Sequence, residues 1–487
     1  MCDRKRFDGR EGGLMPLFLR TADLERIHFV GIGGAGMSGI AEILLNYDLA
    51  ISGSDLEAGE TTERLAELGA TVYLGHSAEN VKQADLVVVS SAIPDANEEV
   101  VAARRRGVPI VRRAQMLAEL MRLKYGIAVA GTHGKTTTTS LIGSVLTGAG
   151  LDPTVVVGGR LRVSGTGARH GTSDYLVAEA DEFDRSFLDL APVIAVITNI
   201  DVDHLDTYRD LADIKDAFVR FAGRVPFFGQ IIACVDDENV GDLLPRLADR
   251  RTVTYGFGSR ADLQARDVAP TASGVRFDVV DSAAGRVGGL ELPMPGRHNV
   301  LNALAAIATA RATGVDFETA AGVLSGFSGV HRRFERVGCW RGATVVDDYA
   351  HHPTEVEATL CAAREVLDTT PRDGRRPRIH AVFQPHLFSR TRDLADDFGR
   401  ALLLADNALV TDIYASRERP LPGVSGGLVV AAAAAAGHPS VGGCGPWRKA
   451  PERLRGVVRA GDLILTLGAG DIYRLARLLV ADGETGR

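Results

Sequence analysis

The chain has 487 residues, 45% of them hydrophobic and 24% charged, and a formal net charge of −7. That length predicts about three domains, each with its own core; the composition is that of a soluble globular protein, and the negative charge argues against general nucleic-acid affinity. No apolar run approaches membrane-spanning length, and the five cysteines (Cys2, Cys234, Cys339, Cys361, Cys444) are scattered without metal-type spacing. They predict a reduced, cytoplasmic setting with each thiol a small buried hydrophobe.

Residues 1–24 read as a mixed-charge disordered tail without a signal-peptide core, and Met15 offers an alternative start. The first strand, Ile27 to Val30, runs directly into Gly31-Ile32-Gly33-Gly34-Ala35-Gly36-Met37-Ser38-Gly39. This is the dinucleotide fingerprint: glycines for a tight turn, close phosphate approach and helix packing. Asp55, at the end of a second strand (Leu49 to Ser54), stands where a ribose-binding acid is expected. Gly31, Gly33 and Gly36 therefore point to a diphosphate ligand, either NAD or a UDP-sugar. Asp85 to Val89 and Pro109 to Val111 complete a first α/β block over 25–124.

The second block spans 125–328. It opens with the apolar run Ile127 to Ala130, then Gly131-Thr132-His133-Gly134-Lys135-Thr136-Thr137, then a helical pattern. Strand, glycine loop, lysine, hydroxyl and helix together cradle nucleotide phosphates: backbone N–H groups face the anion, Lys135 adds a point charge, and Thr136 can ligate Mg²⁺. Val129 stands where the longer form of the loop has a glycine. Four acids follow the strand Tyr175 to Val177, in Glu179-Ala180-Asp181-Glu182-Phe183-Asp184, and a strand end beside a phosphate loop suits Mg²⁺. After the buried strand Val193 to Thr198 comes Asn199-Ile200-Asp201-Val202-Asp203-His204, which puts His204 at another carboxyl-terminal strand edge. Val253 to Leu292 reads as an antiparallel insertion, and Asn299 to Thr313 as an alanine-faced helix.

The third block spans 329–487, with strands at Ala343–Val346, Ile379–Phe383, Ala408–Val410 and Leu463–Leu467. Thr369 to Arg378 is a surface loop and Ala431 to Ala436 a plain helix. Asp347-Asp348-Tyr349-Ala350-His351-His352-Pro353-Thr354-Glu355 and Phe383-Gln384-Pro385-His386-Leu387-Phe388-Ser389-Arg390 each follow a strand and supply polar groups to one face of a cleft. Arg332 and Arg333 sit at the presumed hinge, where a guanidinium suits phosphate. The fold class is α/β, in three successive domains.

Taken in order from about Ile27 to the C-terminus, these motifs, with Thr198-Asn199-Ile200, Asp203-His204 and His298-Asn299, resemble the Mur ligase family of peptidoglycan precursor synthesis, in particular its alanine-adding branch. The resemblance implies a Rossmann-like N-terminal domain, a central phosphate-loop ATPase α/β domain and a Rossmann-like C-terminal domain, the first binding UDP-N-acetylmuramate through Gly31, Gly33, Gly34, Gly36, Met37, Ser38, Asp55 and Ser90. It implies ATP on Gly131, Thr132, His133, Gly134, Lys135, Thr136 and Thr137, with His298, Asn299, Asn302 and Arg332, and Mg²⁺ on Thr136, Glu179 and His204. Lys135, Glu179, His204, Arg333 and Asp348 carry the catalysis, while Tyr349, His351, His386 and Arg390 orient the lactyl carboxylate and L-alanine. The implied reaction activates that carboxylate as an acyl phosphate and forms an amide, in a cytoplasmic monomer or weak homodimer without nucleic-acid or membrane partners.

Three departures from the family pattern stand out: Phe183 for a serine, Ala350 for a glycine, and Leu387-Phe388 for an arginine and a tyrosine. Lys215 is off the register of the carbamylated lysine that sister ligases carry. The motif set also fits a sister enzyme that couples a murein tripeptide. The first glycine loop with Asp55, taken alone, fits an NAD oxidoreductase, and the phosphate loop alone fits a nucleotide-binding regulator without turnover.

Overall fold

A computed structural model describes residues 24–47, 49–90, 92–158, 167–203, 207–369, 374–416 and 418–485. The N-terminal tail, including Cys2, and His204 lie outside them. The chain forms two compact units, Met1–Asp262 with Ala305–Ala320, and Leu263–Leu304 with Ala321–Arg487. Both are α/β, as the alternation of apolar runs and helical patterns requires.

Unit one begins with a parallel sheet of β1 (Arg26–Val30), β2 (Ala50–Asp55), β3 (Thr71–Leu74), β4 (Leu86–Val89) and β5 (Ile110–Arg112), in the order β3-β2-β1-β4-β5. The order reverses between β1 and β4, and ligands of open parallel sheets collect outside the carboxyl ends of the strands at such a switch. The glycine loop follows β1 there, and Ser90 follows β4. The helix after the loop, α1 (Ala35–Leu45), starts at Gly34 without a side-chain cap, whereas α2 (Glu98–Arg105) is capped by Asn97. An uncapped start leaves N–H groups for an anion.

A second sheet in the same unit runs β12-β11-β10-β6-β9-β7-β8. Its strands are β6 (Tyr125–Ala130), β7 (Thr154–Val156), β8 (Ala168–Arg169), β9 (Tyr175–Glu179), β10 (Ile194–Ile197), β11 (Gln230–Cys234) and β12 (Thr252–Gly256). All pairings are parallel except β7 with β8. Both faces are covered, so Val129 of β6, the position that lacks the extra glycine, is fully buried. The loops after β6, β9 and β10 emerge side by side at one edge, so the phosphate loop, the acidic cluster and Thr198-Asn199 share a single rim. One core joins the two sheets of unit one, with Met116, Leu117 and Leu120 in the same cluster as Leu176 and Phe187.

Unit two contains an antiparallel meander, β13 (Leu263–Pro270), β14 (Val275–Asp281) and β15 (Gly285–Leu292). Its second sheet has the order β16-β17-β21-β18-β19-β20: β16 (Glu335–Trp340), β17 (Ala343–Asp348), β18 (Ile379–Phe383), β19 (Asn407–Thr411), β20 (Val441–Gly445) and β21 (Leu463–Leu467). Only edge strand β16 runs antiparallel. Separate cores cover its two faces, one around Phe383 and Phe398 and the other around Trp340, Ile464 and Leu479. Among the described residues no helix is long and apolar enough to cross a membrane.

Three expectations are corrected. The antiparallel segment starts at β13, because β12 pairs parallel to β11, Ile231 with Thr252; its Thr-Val-Thr-Tyr alternation mimics a half-solvated antiparallel strand. Thr369 ends a helix (Pro353–Thr369) instead of opening a loop. Of the thiols, Cys234 and Cys444 are buried, but Cys339 and Cys361 are exposed. Cys339 points outward from the edge strand β16, and Cys361 lies on a helix, where only one face is covered.

Gly131 tests the rim of unit one. Its φ is +141°, and a Cβ there would lie 1.9 Å from Thr198 Oγ1. We expect Gly131→Ala to lower stability by about 2 kcal/mol or more in a denaturant titration. The Gly59→Ala control, whose Cβ meets nothing within 4 Å, should stay within about 0.5 kcal/mol of wild type.

Candidate active site

The phosphate loop of unit one is sewn to the strand end beside it. Thr132 N–H donates to Asn199 O (3.1 Å), and His133 N–H donates to Asn199 Oδ1 (2.8 Å). In return, His133 O accepts from Thr198 Oγ1 (2.7 Å) and Asn199 Nδ2 (3.0 Å). His133 Nε2 lies 3.1 Å from Asp201 Oδ2. These contacts hold the loop open ahead of the helix Lys135–Gly148, which begins at Gly134 (φ +81°) with no side-chain cap. Thr136 and Thr137 occupy its first turn.

Lys135 Nζ donates to Gly131 O (2.7 Å), Thr132 O (3.2 Å) and both oxygens of Glu182 (3.0 and 2.8 Å). Burial works against its charge, but Glu182 and Asp181 outweigh that, and its pKa is raised. Burial pushes Glu182 up to about 7, with Lys135 pulling the other way. Tyr208 Oη donates to Glu182 O (2.7 Å) and fixes the acidic turn from behind.

Glu179 also has a raised pKa, chiefly from burial, opposed by the Thr136 hydroxyl and the Gly158 N–H. Its Oε2 accepts from Gly158 N–H at 2.6 Å, while Oε1 is buried with no hydrogen-bond partner. A partnerless buried carboxylate oxygen facing a helix-start threonine is the chemistry a hard divalent cation completes, so Thr136 and Glu179 fit Mg²⁺.

At the other sheet of unit one, Gly31 and Ile32 N–H groups donate to Ser54 O (2.8 and 2.9 Å). Gly33 N–H donates to Asp55 Oδ2 at 2.9 Å, so the expected ribose acid also clamps the glycine loop. A Cβ on Gly36 would meet Arg113 Nη1 at 2.6 Å. Ser90 O accepts from Ile93 N–H (3.2 Å), and a Cβ on Gly31 would meet Ile93 Cδ1 at 3.4 Å. Met37 and Ser38 are buried in the first turns of α1.

In unit two, Asn302 Nδ2 donates to Asn299 Oδ1 (3.1 Å), and Asn299 Nδ2 donates to Pro295 O (2.8 Å). Burial lowers the neighbouring His298 to about 4, helped by the Arg333 guanidinium and opposed by Glu355. Asp348 is buried, and its two oxygens accept from Phe334 N–H (2.7 Å) and Ala350 N–H (2.8 Å). Desolvation raises it to about 6, against the pull of Arg333.

Arg332 and Arg333 behave differently. Arg332 is committed inward, donating to Asp347 Oδ2 (2.9 Å), Gly468 O (2.5 Å) and Gly470 O (3.1 Å). Arg333 makes a looser ion pair with Glu355 (3.9 Å). Both guanidiniums lie over the Tyr349 ring, at 5.0 and 5.2 Å. Arg332 and Phe334 hold positive φ (58° and 46°), backbone strain of the kind that collects at functional turns. His351 Nδ1 lies 3.1 Å from Tyr349 O and from Glu355 Oε2. The His351 ring meets those of Tyr349 (5.3 Å) and His386 (5.7 Å), and His386 stacks on Tyr414. Arg390 sits on the helix Phe388–Asp393 that follows.

The structure thus groups the expected residues within each unit: Gly131 to Thr137 with Glu179, and His298, Asn299 and Asn302 on one helix. Arg333, Asp348, Tyr349, His351 and His386 form a further cluster in unit two. It also brings in Asp201 behind His133, Glu182 behind Lys135 and Glu355 behind His351, which were not assigned those partners. Their acidic type was visible in the sequence, but the pairing depends on which strand ends lie side by side.

A phosphate loop on a parallel sheet, a fingerprint loop on another and a third α/β sheet define a nucleotide-dependent multidomain enzyme. Models of the Mur ligase family match in sequence along the chain: its catalytic domain over 26–125, its middle domain over 129–310 and its glutamate ligase domain over 332–470. The chain belongs to the Mur ligase family. It is 52% identical over 457 residues to the UDP-N-acetylmuramate–L-alanine ligase of Acidithiobacillus ferrooxidans, covering 93% of this chain and 97% of that one. Identity to the enzyme of the same name from Syntrophotalea carbinolica is 50% over 456 residues, 94% of this chain and 97% of the other. Among solved structures, the UDP-N-acetylmuramate–alanine ligase of Thermotoga maritima superposes with a TM-score of 0.79 at 31% identity, covering 95% of this chain and all of that one. A murein peptide ligase from Psychrobacter arcticus gives 0.68 at 26%, with 94% and 98% covered.

The buried groups of unit two set a pH signature with opposite signs. Native His298 takes a proton only below about 4, while the unfolded histidine does so from its ordinary 6.5, so its contribution to stability is lost as pH falls through 6.5 to 4. Native Asp348 holds a proton up to about 6, against 3.8 unfolded, so it stabilises as pH falls through 6 to 3.8. We expect His298→Gln to flatten, and Asp348→Asn to steepen, the loss of stability between pH 6.5 and 4. Each change should amount to about 2–3 kcal/mol across that range in urea titrations at fixed pH.

Proposed function

We propose that this chain is an ATP-dependent ligase that forms the amide between the lactyl carboxylate of UDP-N-acetylmuramate and L-alanine. One observation carries the reading: a glycine loop, held open by Thr198 and Asn199, that delivers Lys135 and Thr136 beside the partnerless oxygen of Glu179. The half-identical relatives of the same name support the choice of substrates.

A carboxylate resists amine attack because an oxide oxygen is a poor leaving group. Transfer of the γ-phosphoryl group of ATP to the lactyl carboxylate gives an acyl phosphate, whose leaving group is phosphate. ADP leaves in that first step; the neutral amine of L-alanine then adds to the acyl carbon, and the tetrahedral intermediate expels phosphate and gives up the amine's proton to leave the amide. Catalysis of phosphoryl transfer is mostly positioning and charge neutralisation. The N–H groups of Gly131 to Thr137 and the start of their helix hold the β- and γ-phosphates, and Lys135 exchanges Glu182 for phosphate oxygen. Thr136 and Glu179, with His204 as a further ligand, would hold Mg²⁺, which would supply positive charge against the phosphates.

His298, Asn299 and Asn302 hold adenine and ribose. Arg333 and Asp348 complete the nucleotide site, while Arg332 holds the strained turn that aims its neighbour. Tyr349, His351, His386 and Arg390 orient L-alanine and the carboxylate. Gly31, Gly33, Gly34, Gly36, Met37, Ser38, Asp55 and Ser90 bind the UDP-sugar. Residues 25–124 form the UDP-sugar domain, 125–328 the ATP domain and 329–487 the amino-acid domain of a cytoplasmic enzyme, monomeric or weakly dimeric.

The test is ADP release with UDP-N-acetylmuramate, Mg²⁺ and L-alanine. Turnover without the UDP-sugar, or with a murein tripeptide in place of L-alanine, sinks the assignment. Lys135→Ala combined with Glu182→Gln, which leaves no unpaired buried carboxylate, should cut kcat about 10³-fold. Glu179→Gln should raise the Mg²⁺ concentration for half-maximal rate at least about tenfold while UDP-sugar binding stays unchanged in calorimetry.

A further inference from the structure

The mechanism leaves unused a cavity of about 530 Å³ in unit two, a volume within the usual range of small-molecule sites. It opens at the amino-terminal ends of β18, β19 and β20. The second half of the helix Pro353–Thr369 forms one wall, and the turns that lead into the three strands form the others. Asp348, by contrast, ends β17, and His386 follows β18, so the cluster that contains them lies at the carboxyl ends of the same parallel strands. The cavity shares no residue with that cluster.

Four charged side chains line it, and two of them are spent on the fold. Arg364 donates to Asp406 Oδ2 (2.5 Å) and to Pro377 O (3.3 Å), and Asp406 Oδ2 also accepts from Ile379 N–H (2.7 Å). The other two are Glu365 and Arg376. Among the described residues, neither has a side-chain hydrogen bond or an ion pair, and Arg297 and Asp406 act on them through charge alone. Burial raises the Glu365 carboxyl against the pull of Arg297. Beside these charges stand the consecutive Leu403 and Leu404, 39% and 38% exposed, at the end of a short helix (Ala395–Leu402). The cavity thus offers one unpaired cation, one unpaired anion and an apolar wall.

We propose that this cavity binds a short peptide with free termini and apolar side chains, its carboxylate paired with Arg376, its ammonium with Glu365 and its side chains laid on Leu403 and Leu404. A simple anion would meet Arg376 but also the Glu365 carboxylate, and a simple cation would meet the reverse. A zwitterion satisfies both, because like-charge contacts reject the singly charged alternatives. The volume has room for more than a single amino acid. Ion pairs near a surface contribute little by themselves, so the apolar wall supplies the affinity and the two charges supply the selection.

The structure supplies its own probe. Cys361 lines this cavity, whereas Cys339, also exposed, lies on β16. The test is labelling of the full-length chain with N-ethylmaleimide, followed at each thiol by peptide mass spectrometry, with and without millimolar L-leucyl-L-leucine. Mildly alkaline buffer suits it, since burial, Glu357 and Glu365 raise the Cys361 thiol. The dipeptide should slow labelling of Cys361 at least about fivefold and leave Cys339 unchanged. The same dipeptide with an acetylated amine and an amidated carboxyl should protect less than about twofold. Glu365→Gln and Arg376→Ala, with folding checked by thermal denaturation, should each cut protection below about twofold. No slowing at Cys361, equal slowing at Cys339, or equal protection by the blocked dipeptide overturns the proposal. So does protection unchanged in the folded variants, and protection by free L-leucine equal to that of the dipeptide overturns the peptide as ligand. If either variant fails to fold, the blocked dipeptide on the wild-type chain decides.

Discussion

The phosphate loop depends on one steric fact: at Gly131 there is no space for a side chain. The next strand end, Thr198-Asn199, occupies that space and uses it to grip the loop at Thr132 and His133. The grip shapes the loop before any anion arrives, so binding does not have to order it. It also explains how a loop with Val129 in the glycine position keeps its geometry. The backbone freedom that an extra glycine supplies is replaced by hydrogen bonds from a neighbouring strand.

Charge is arranged around this frame by burial. Lys135 and Glu182 neutralise each other in a water-poor pocket, where breaking either partner leaves an uncompensated charge. A phosphate that draws the ammonium forward therefore competes with a carboxylate whose charge burial already disfavours. Glu179 is desolvated as well, but one of its oxygens is left without a partner. The two acids of one short turn are thus separated in role by their neighbours: one meets a lysine, the other a threonine at a helix start.

Much of this was legible in the sequence because it is local. Glycine loops after apolar runs, acids at strand ends and the alternation of strands with helices depend on neighbours within a few residues. The rest depends on pairing across the sheet. Nothing near Arg332 shows that its guanidinium is turned inward onto Asp347 and the carbonyls of Gly468 and Gly470, leaving Arg333 as the looser cation. The exposure of Cys339 is hidden from the sequence because edge-strand status is a property of sheet order, and the parallel pairing of β12 because its side-chain alternation resembles that of a strand with one wet face.

The cluster around Glu99 is the clearest case of chemistry hidden from sequence reading. Its donors come from Ser54, His76 and Asn80, on or beside three different elements, and none lies in a recognised motif. A fully buried carboxylate with this many donors is costly to assemble for fold stability alone, since apolar residues of similar volume commonly do as well or better. What such a cluster gives that an apolar core cannot is a polar side chain held in one direction. In this sheet that side chain is His76, at the strand end two places from the glycine turn.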